Sequence, residues 1–133
     1  MRSLLFAGLM ALSSVAAADT AFGRLANPGE ADLVIKLIVT DEMRFIPASI
    51  RVKRGDIVRF IVTNDGRLPH EMVLGTMDDL KKHRARHDPN ELELAPGKTR
   101  ELDWQFTDIG EFYYGSPTSG EPQADTIGTV LVY

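Results

Sequence analysis

Residues 49–66 read SIRVKRGDIVRFIVTNDG, and this stretch decides the fold class. Apolar and polar residues alternate with period two over residues 49–53, which is typical of a strand with one buried face. Arg54-Gly55-Asp56 forms a turn, and the β-branched residues 57–63 predict a second strand, which Asn64-Asp65-Gly66 closes. The stretch therefore predicts two short strands of an all-β domain.

Further short strands, separated by turns, lie on both sides of this stretch. The sequence predicts them at residues 33–39, 70–74, 92–94, 99–106, 111–114 and 127–133. A helical signal is confined to residues 76–88, where Thr76 and Asp79 have the spacing of a capping box. We predict an all-β Greek-key sandwich of about seven or eight strands with one short helical insertion. Its core is predicted to contain the aromatic residues Phe45, Phe60, Trp104, Phe106 and Phe112.

The N-terminal residues have the pattern of a secretory signal peptide. Arg2 gives a positive start, residues 4–12 are apolar, and alanines at positions 16–18 form a cleavage site. We expect removal of residues 1–18, export to the periplasm and no later membrane insertion, because a bilayer needs roughly 20 apolar residues. A buried N-terminal helix is the alternative. Residues 19–31 are expected to be a flexible leader or a loose edge segment, and residues 32–133 the folded domain.

Charge and cysteine content exclude several classes of protein. The chain has 133 residues, a net charge of −4 and no cysteine. It lacks the basic footprint of a nucleic-acid-binding protein, and acidic charge also opposes docking on anionic lipids. Without cysteine, stability has to come from core burial, and no thiolate chemistry is available. No Ser-His-acid order or Gly-rich phosphate loop is present, so we do not expect an enzyme.

The order of the segments resembles that of the cupredoxins, and more closely a bacterial periplasmic branch that includes copper-resistance proteins. The likeness covers nearly all of the chain from residue 32 onward. The motifs that carry it are FIPASIRVKRGD (45–56), VTNDG (62–66) with HEM (70–72), LAPG (94–97), WQF (104–106), GEF (110–112) and IGTV (127–130). Their order and spacing imply a cupredoxin-like sandwich.

The resemblance also implies a metal site, but most of its ligands are absent. A type 1 copper is held by two His, one Cys thiolate and a weak axial Met. His70 matches the first His, whereas the Cys-x4-His-x4-Met frame of this branch reads Ser116, Glu121 and Thr126 here. A serine hydroxyl stays protonated and is a poor partner for Cu(I), and a threonine is no thioether. Electron transfer through a type 1 centre is therefore not expected.

We predict His70, Glu121 and Met72 as metal ligands, with copper as the cofactor. Glu121 offers a carboxylate, and Met72 follows His70 by two residues, so it would share the same strand face. The alternative for His70 is a ring bonded to a neighbouring backbone group. The alternative for Met72 is a place in the core, where methionine commonly fills gaps.

Other soft or metal-binding side chains are weaker candidates. Met43 and Met77 carry thioethers that could bind Cu(I). His83 and His87 have the i, i+4 spacing of a helical metal clasp, although the neighbouring lysines and arginines would repel a cation.

Two hypotheses of different kinds follow. The first is a periplasmic copper-binding module without redox duty, serving copper storage, delivery or resistance through an open site around His70. The second is a metal-free interaction domain whose polar loop, residues 115–125, contacts a periplasmic partner protein. Electron transfer ranks third, because the chain has no cysteine.

Overall fold

Strand β5, Ile57–Asn64, shows how the sequence pattern builds the fold. Its alternate residues Val58, Phe60 and Val62 are fully buried, and the residues between them are partly exposed. This period-two burial is the one that residues 57–63 predict. The computed structural model describes residues 22–81, 88–117 and 123–133.

Two five-stranded sheets pack against each other. In spatial order, the first sheet contains β1 (Gly23–Leu25), β8 (Thr99–Phe106), β5 (Ile57–Asn64), β2 (Leu33–Val39) and β3 (Phe45–Ile46). The second contains β4 (Ser49–Val52), β10 (Ile127–Val132), β9 (Gly110–Gly115), β6 (His70–Gly75) and β7 (Glu91–Leu94). A short helix α1 (Met77–Lys81) follows β6, and a 3₁₀ turn (Ala124–Thr126) precedes β10.

The predicted all-β sandwich with one short helix is confirmed. The described residues form ten strands, rather than the predicted number of about seven or eight. The excess lies in β1 and β3, which are three and two residues long and lie at the two edges of the first sheet. Strands this short carry no readable alternation, so the sequence does not reveal them.

The core lies between the two sheets. Trp104 and Phe106 from the first sheet and Tyr114 from the second are fully buried, and the five aromatic residues predicted for the core are all buried. Phe22 stacks on Trp104 with ring centroids 5.0 Å apart, and β1 pairs with β8 directly after it. The sequence predicts either a flexible leader or a loose edge segment for residues 19–31. The edge segment is what the structure shows for residues 22–25. Residues 1–21, including the predicted signal peptide, lie outside the described residues.

Helix α1 begins with the predicted capping box. The backbone N–H of Asp79 donates to Oγ1 of Thr76 at 3.3 Å, and the N–H of Thr76 donates to Oδ2 of Asp79 at 2.8 Å. The helical insertion is thus confirmed over Met77–Lys81, and its predicted continuation falls on residues outside the described part. Across the described ranges, none of the helices is long and apolar enough to cross a membrane.

Parallel pairing between β2 and β5 positions the candidate site. Val39 lies beside Asn64 in this pair, and the N–H of Asp65 donates to the carbonyl of Val39 at 2.9 Å. Because parallel strands end at the same edge of a sheet, the turns that follow β2 and β5 meet there.

Candidate metal centre

His70 lies at this edge, at the start of β6. Its side chain is 3% exposed, and it lies opposite Leu94 of β7. The preceding loop is held by the buried Asn64, whose Nδ2 donates to the carbonyls of Leu68 at 2.8 Å and Leu94 at 3.0 Å. Its Oδ1 accepts from the N–H of Gly66 at 2.8 Å. Asn64 therefore fixes the path of the chain into His70.

Asp41, from the turn after β2, holds the His70 ring. Its Oδ1 lies 2.9 Å from Nε2 of His70. The backbone N–H groups of Arg67 and Leu68 donate to Oδ2 at 2.8 Å and to Oδ1 at 3.2 Å. The Arg67 N–H, followed by the His70 ring and the Leu68 N–H, holds the pKa of Asp41 below its ordinary value.

This contact selects the tautomer of His70. An ionised carboxylate only accepts hydrogen bonds, so Nε2 of His70 carries the hydrogen and donates it to Asp41. The lone pair of the neutral ring then resides on Nδ1, which is the nitrogen left to bind a metal. A carboxylate that orients a metal-binding histidine through its other nitrogen is a recurring arrangement in metal sites.

A cavity of about 770 Å³ opens beside His70. Asp41, Met43 and Ser116 line it together with His70, and the exposed Leu68 lies at its rim. Ser116 follows β9 and is 6% exposed, and its Oγ lies 4.0 Å from Sδ of Met43. The cavity therefore joins the predicted histidine to the position where the cupredoxin frame has its cysteine.

The other predicted ligands have different outcomes. Met72 does follow His70 on the same strand face, but it is fully buried in the hydrophobic core and does not line the cavity. Its role as a ligand stays a prediction, and its surroundings favour the core alternative. Glu121, His83 and His87 lie outside the described residues. Thr126 ends the 3₁₀ turn, where its Oγ1 donates to the carbonyl of Gln123 at 2.7 Å.

The donor set of the described residues does not fit a type 1 copper centre. It offers one imidazole, one thioether, one hydroxyl and three carboxylates around the cavity, and the whole chain has no thiol. Within that part of the chain, His, Asp and Glu do not gather in groups of three or more that could hold a metal. The blue-copper chemistry depends on a thiolate bond, so it has no basis at this site.

Sequence reasoning missed Asp41 and ranked Met43 low. Both belong to the turn after β2, which lies 27 or more residues before His70 in the chain. Only the parallel pairing of β2 with β5 brings this turn to the loop before His70. The signal available in the sequence is a carboxylate and a methionine directly after a predicted strand, and that signal is weak without the topology.

The structure and its relatives define the class of protein. Auracyanin B superimposes with a TM-score of 0.64 at 16% identity, covering 86% of this chain and 96% of auracyanin B. An azurin (Az-iso2) from Methylomonas sp. strain J gives a TM-score of 0.58 at 14% identity, covering 77% and 99%. These likenesses show the cupredoxin fold.

Sequence comparison shows the particular family. The copper-resistant cuproprotein CopI of Rubrivivax gelatinosus is 40% identical over 124 residues, which cover 86% of this chain and 75% of CopI. The CopI protein of Pseudomonas aeruginosa is 28% identical over 150 residues, covering 84% and 82%. No family model matches the chain. The chain belongs to the family of copper-resistant CopI cuproproteins, which confirms the predicted copper-resistance branch of the cupredoxins.

Proposed function

We propose that this protein binds and handles copper in the periplasm through an unconventional site anchored on His70, without type 1 electron transfer. The observation that carries the proposal is the Asp41–His70 pair, which holds a buried imidazole at the cavity edge with Nδ1 free of that bond. The names of the CopI relatives support copper as the metal. The predicted signal peptide supports the periplasmic location.

The role is copper resistance, storage or delivery. A site with an imidazole and no thiolate lacks the soft anionic ligand of a blue-copper centre, which suits exchangeable copper better than a permanently bound redox ion. Glu121 is the further predicted ligand, because it occupies the second histidine position of the cupredoxin frame. The Ser116 hydroxyl donates its hydrogen bond to the Met43 sulfur, and we do not propose an enzyme.

A competitive copper titration of the purified protein tests this proposal. The wild type is titrated with Cu(I) and with Cu(II) against a chromophoric chelator, beside His70→Ala. We expect one copper per chain in the wild type, and a loss of affinity in the variant of about tenfold or more, since the anchoring nitrogen is removed. His83→Ala is the comparison variant, because it removes a histidine of the alternative site, the predicted helical clasp.

Each other outcome identifies a different alternative. Loss of binding in His83→Ala alone would assign copper to the predicted helical clasp instead. An intense blue colour would contradict the donor-set argument. Absence of copper binding in the wild type would favour the metal-free interaction domain, for which the exposed Leu68 at the cavity rim is the supporting observation.

A further inference from the structure

Met43 occupies a backbone conformation that methionine rarely adopts. Its φ is 64°, and it is the one non-glycine residue with positive φ in the described ranges. It ends the turn from Thr40, whose carbonyl accepts from the Met43 N–H at 2.9 Å, and Gly or Asn is usual at such a position. Glycine adopts this conformation without steric cost and a methionine does not, so the strained position points to a role for the Met43 side chain.

The same turn delivers two side chains to the metal centre. Asp41 bonds to Nε2 of His70, and Met43, two residues later, lines the cavity that His70 lines. The Met43 sulfur lies 4.0 Å from Oγ of Ser116, which stands at the cysteine position of the cupredoxin frame. The Met43 thioether therefore places a sulfur atom close to the position that the cysteine thiolate occupies in the cupredoxins, although it comes from a different part of the chain.

The charges around the cavity suit a cation. Three carboxylates line it, those of Asp41, Glu71 and Glu93, against the single guanidinium of Arg100 among the described lining residues. Arg100 donates to the backbone carbonyl of Glu93 at 3.2 Å. A cleft with excess negative charge raises the local concentration of cations.

We propose that Met43 is a copper ligand, so that Nδ1 of His70 and Sδ of Met43 together form a site selective for Cu(I). The assignment rests on the proposed copper function, and it specifies Cu(I) as the oxidation state of copper that the protein binds. Thioether sulfur selects Cu(I) over Cu(II) and over oxygen-seeking cations, and imidazole binds both oxidation states of copper. Both ligands are neutral, so the ion keeps its charge beside the carboxylates.

Because the chain has no cysteine, a copper–sulfur bond in this protein can be assigned to methionine by spectroscopy. Any sulfur bound to copper in this protein has to be a thioether, because the chain contains five methionines and no thiol. Copper K-edge X-ray absorption of the Cu(I)-loaded wild type should therefore show a sulfur scatterer in the first coordination shell. Met43→Leu, which conserves side-chain volume, should remove it.

The affinity test uses a matched methionine. We expect Met43→Leu to weaken Cu(I) binding by about tenfold or more and to change Cu(II) binding by less than about threefold, because Cu(II) does not favour thioethers. Met72→Leu is the comparison variant: it makes the same chemical change at the other predicted methionine ligand, which lies in the hydrophobic core and outside the cavity lining, and it separates the two assignments. Circular dichroism and thermal unfolding of each variant establish that it is folded.

The outcomes separate this proposal from the one on which it rests. Unchanged Cu(I) affinity in Met43→Leu, with affinity still lost in His70→Ala, overturns the Met43 assignment and leaves the His70 site intact. A sulfur scatterer that persists in Met43→Leu and disappears in Met72→Leu assigns the thioether to Met72 instead. A wild type without copper affinity overturns both proposals.

Discussion

The Asp41–His70 pair combines three hydrogen bonds on one carboxylate. Two come from the backbone of the loop before β6 and one from the His70 ring. The backbone bonds fix the carboxylate whether or not the ring is present, so Asp41 is preorganised to orient His70. A metal ligand held in this way loses little conformational freedom when it binds, and this preorganisation strengthens binding.

Asp41→Ala is therefore predicted to weaken copper binding without removing a ligand. We expect a loss of about 10- to 100-fold, the range typical when an outer partner of a ligating histidine is removed. Asp41→Asn should fall between this variant and the wild type, because its amide oxygen still accepts a hydrogen bond. The measurement is the chelator competition, with ¹⁵N shifts of the His70 ring reporting its tautomer.

Asp65→Asn is the control for this prediction, because it changes an exposed carboxylate on the same loop. Copper affinity and ring shifts that stay unchanged in Asp41→Ala would contradict the positioning role of Asp41.

At the scale of elements, the turn between β2 and β3 holds Met43 in a conformation that suits glycine. The hairpin closes with the N–H of Thr40 donating to the carbonyl of Arg44 at 3.0 Å, which forces the residue before Arg44 into the left-handed region. Any L side chain at position 43 carries this cost, and glycine does not.

We predict that Met43→Gly is more stable than Met43→Ala by about 1 kcal/mol, because only alanine keeps the left-handed penalty. Urea unfolding of the two variants measures the difference, and neither variant should show the Cu(I) selectivity of the wild type. Both variants lack the thioether, so the difference in their free energies of unfolding reports the cost of the left-handed backbone conformation at position 43. Equal stability, or a more stable alanine variant, would show that position 43 is not strained.

Most elements follow from the sequence, and the site follows only in part. Strands β2 and β8 occupy the predicted residues, since β-branched runs and period-two alternation set their faces. His70 is predictable as a candidate ligand, because it matches the first histidine of the cupredoxins and follows the Asn64-Asp65-Gly66 turn, whose bond from Asn64 to Leu68 is local. Asp41 and Met43 are not, because their approach depends on parallel pairing of strands distant in the chain, and this pairing leaves no local pattern.

At the scale of the whole molecule, Tyr114 links the two sheets. It lies on β9 of the second sheet, packs edge-to-face on Phe45 of the first sheet at 5.9 Å, and is fully buried. Its hydroxyl donates to the carbonyl of Pro47, in the segment that passes from one sheet to the other, at 2.5 Å. Gly128 lies opposite on β10, where a Cβ would collide with the tyrosine ring.

Burial of this phenol predicts how stability changes at alkaline pH. It raises the pKa of Tyr114 from 10.0 to about 12, because the ionised ring would lose its hydration. Above pH 10 the unfolded chain releases this proton while the folded chain keeps it. The unfolded state then binds fewer protons, so the free energy of unfolding falls as pH rises from 10 toward about 12. Below pH 10 the contribution of Tyr114 is constant.

Tyr114→Phe tests this link between the sheets. At neutral pH the variant should be less stable by about 1 kcal/mol, the usual net value of one hydrogen bond. The deficit should shrink as pH rises above 10, because only the wild type then loses stability through ionisation at this position. Urea unfolding of both proteins between pH 8 and pH 11 measures the difference, and Tyr113→Phe controls for the loss of a hydroxyl on the same strand. A deficit that stays constant across this range would show that burial does not raise the pKa of Tyr114, and would contradict the link between its ionisation and the stability of the sandwich.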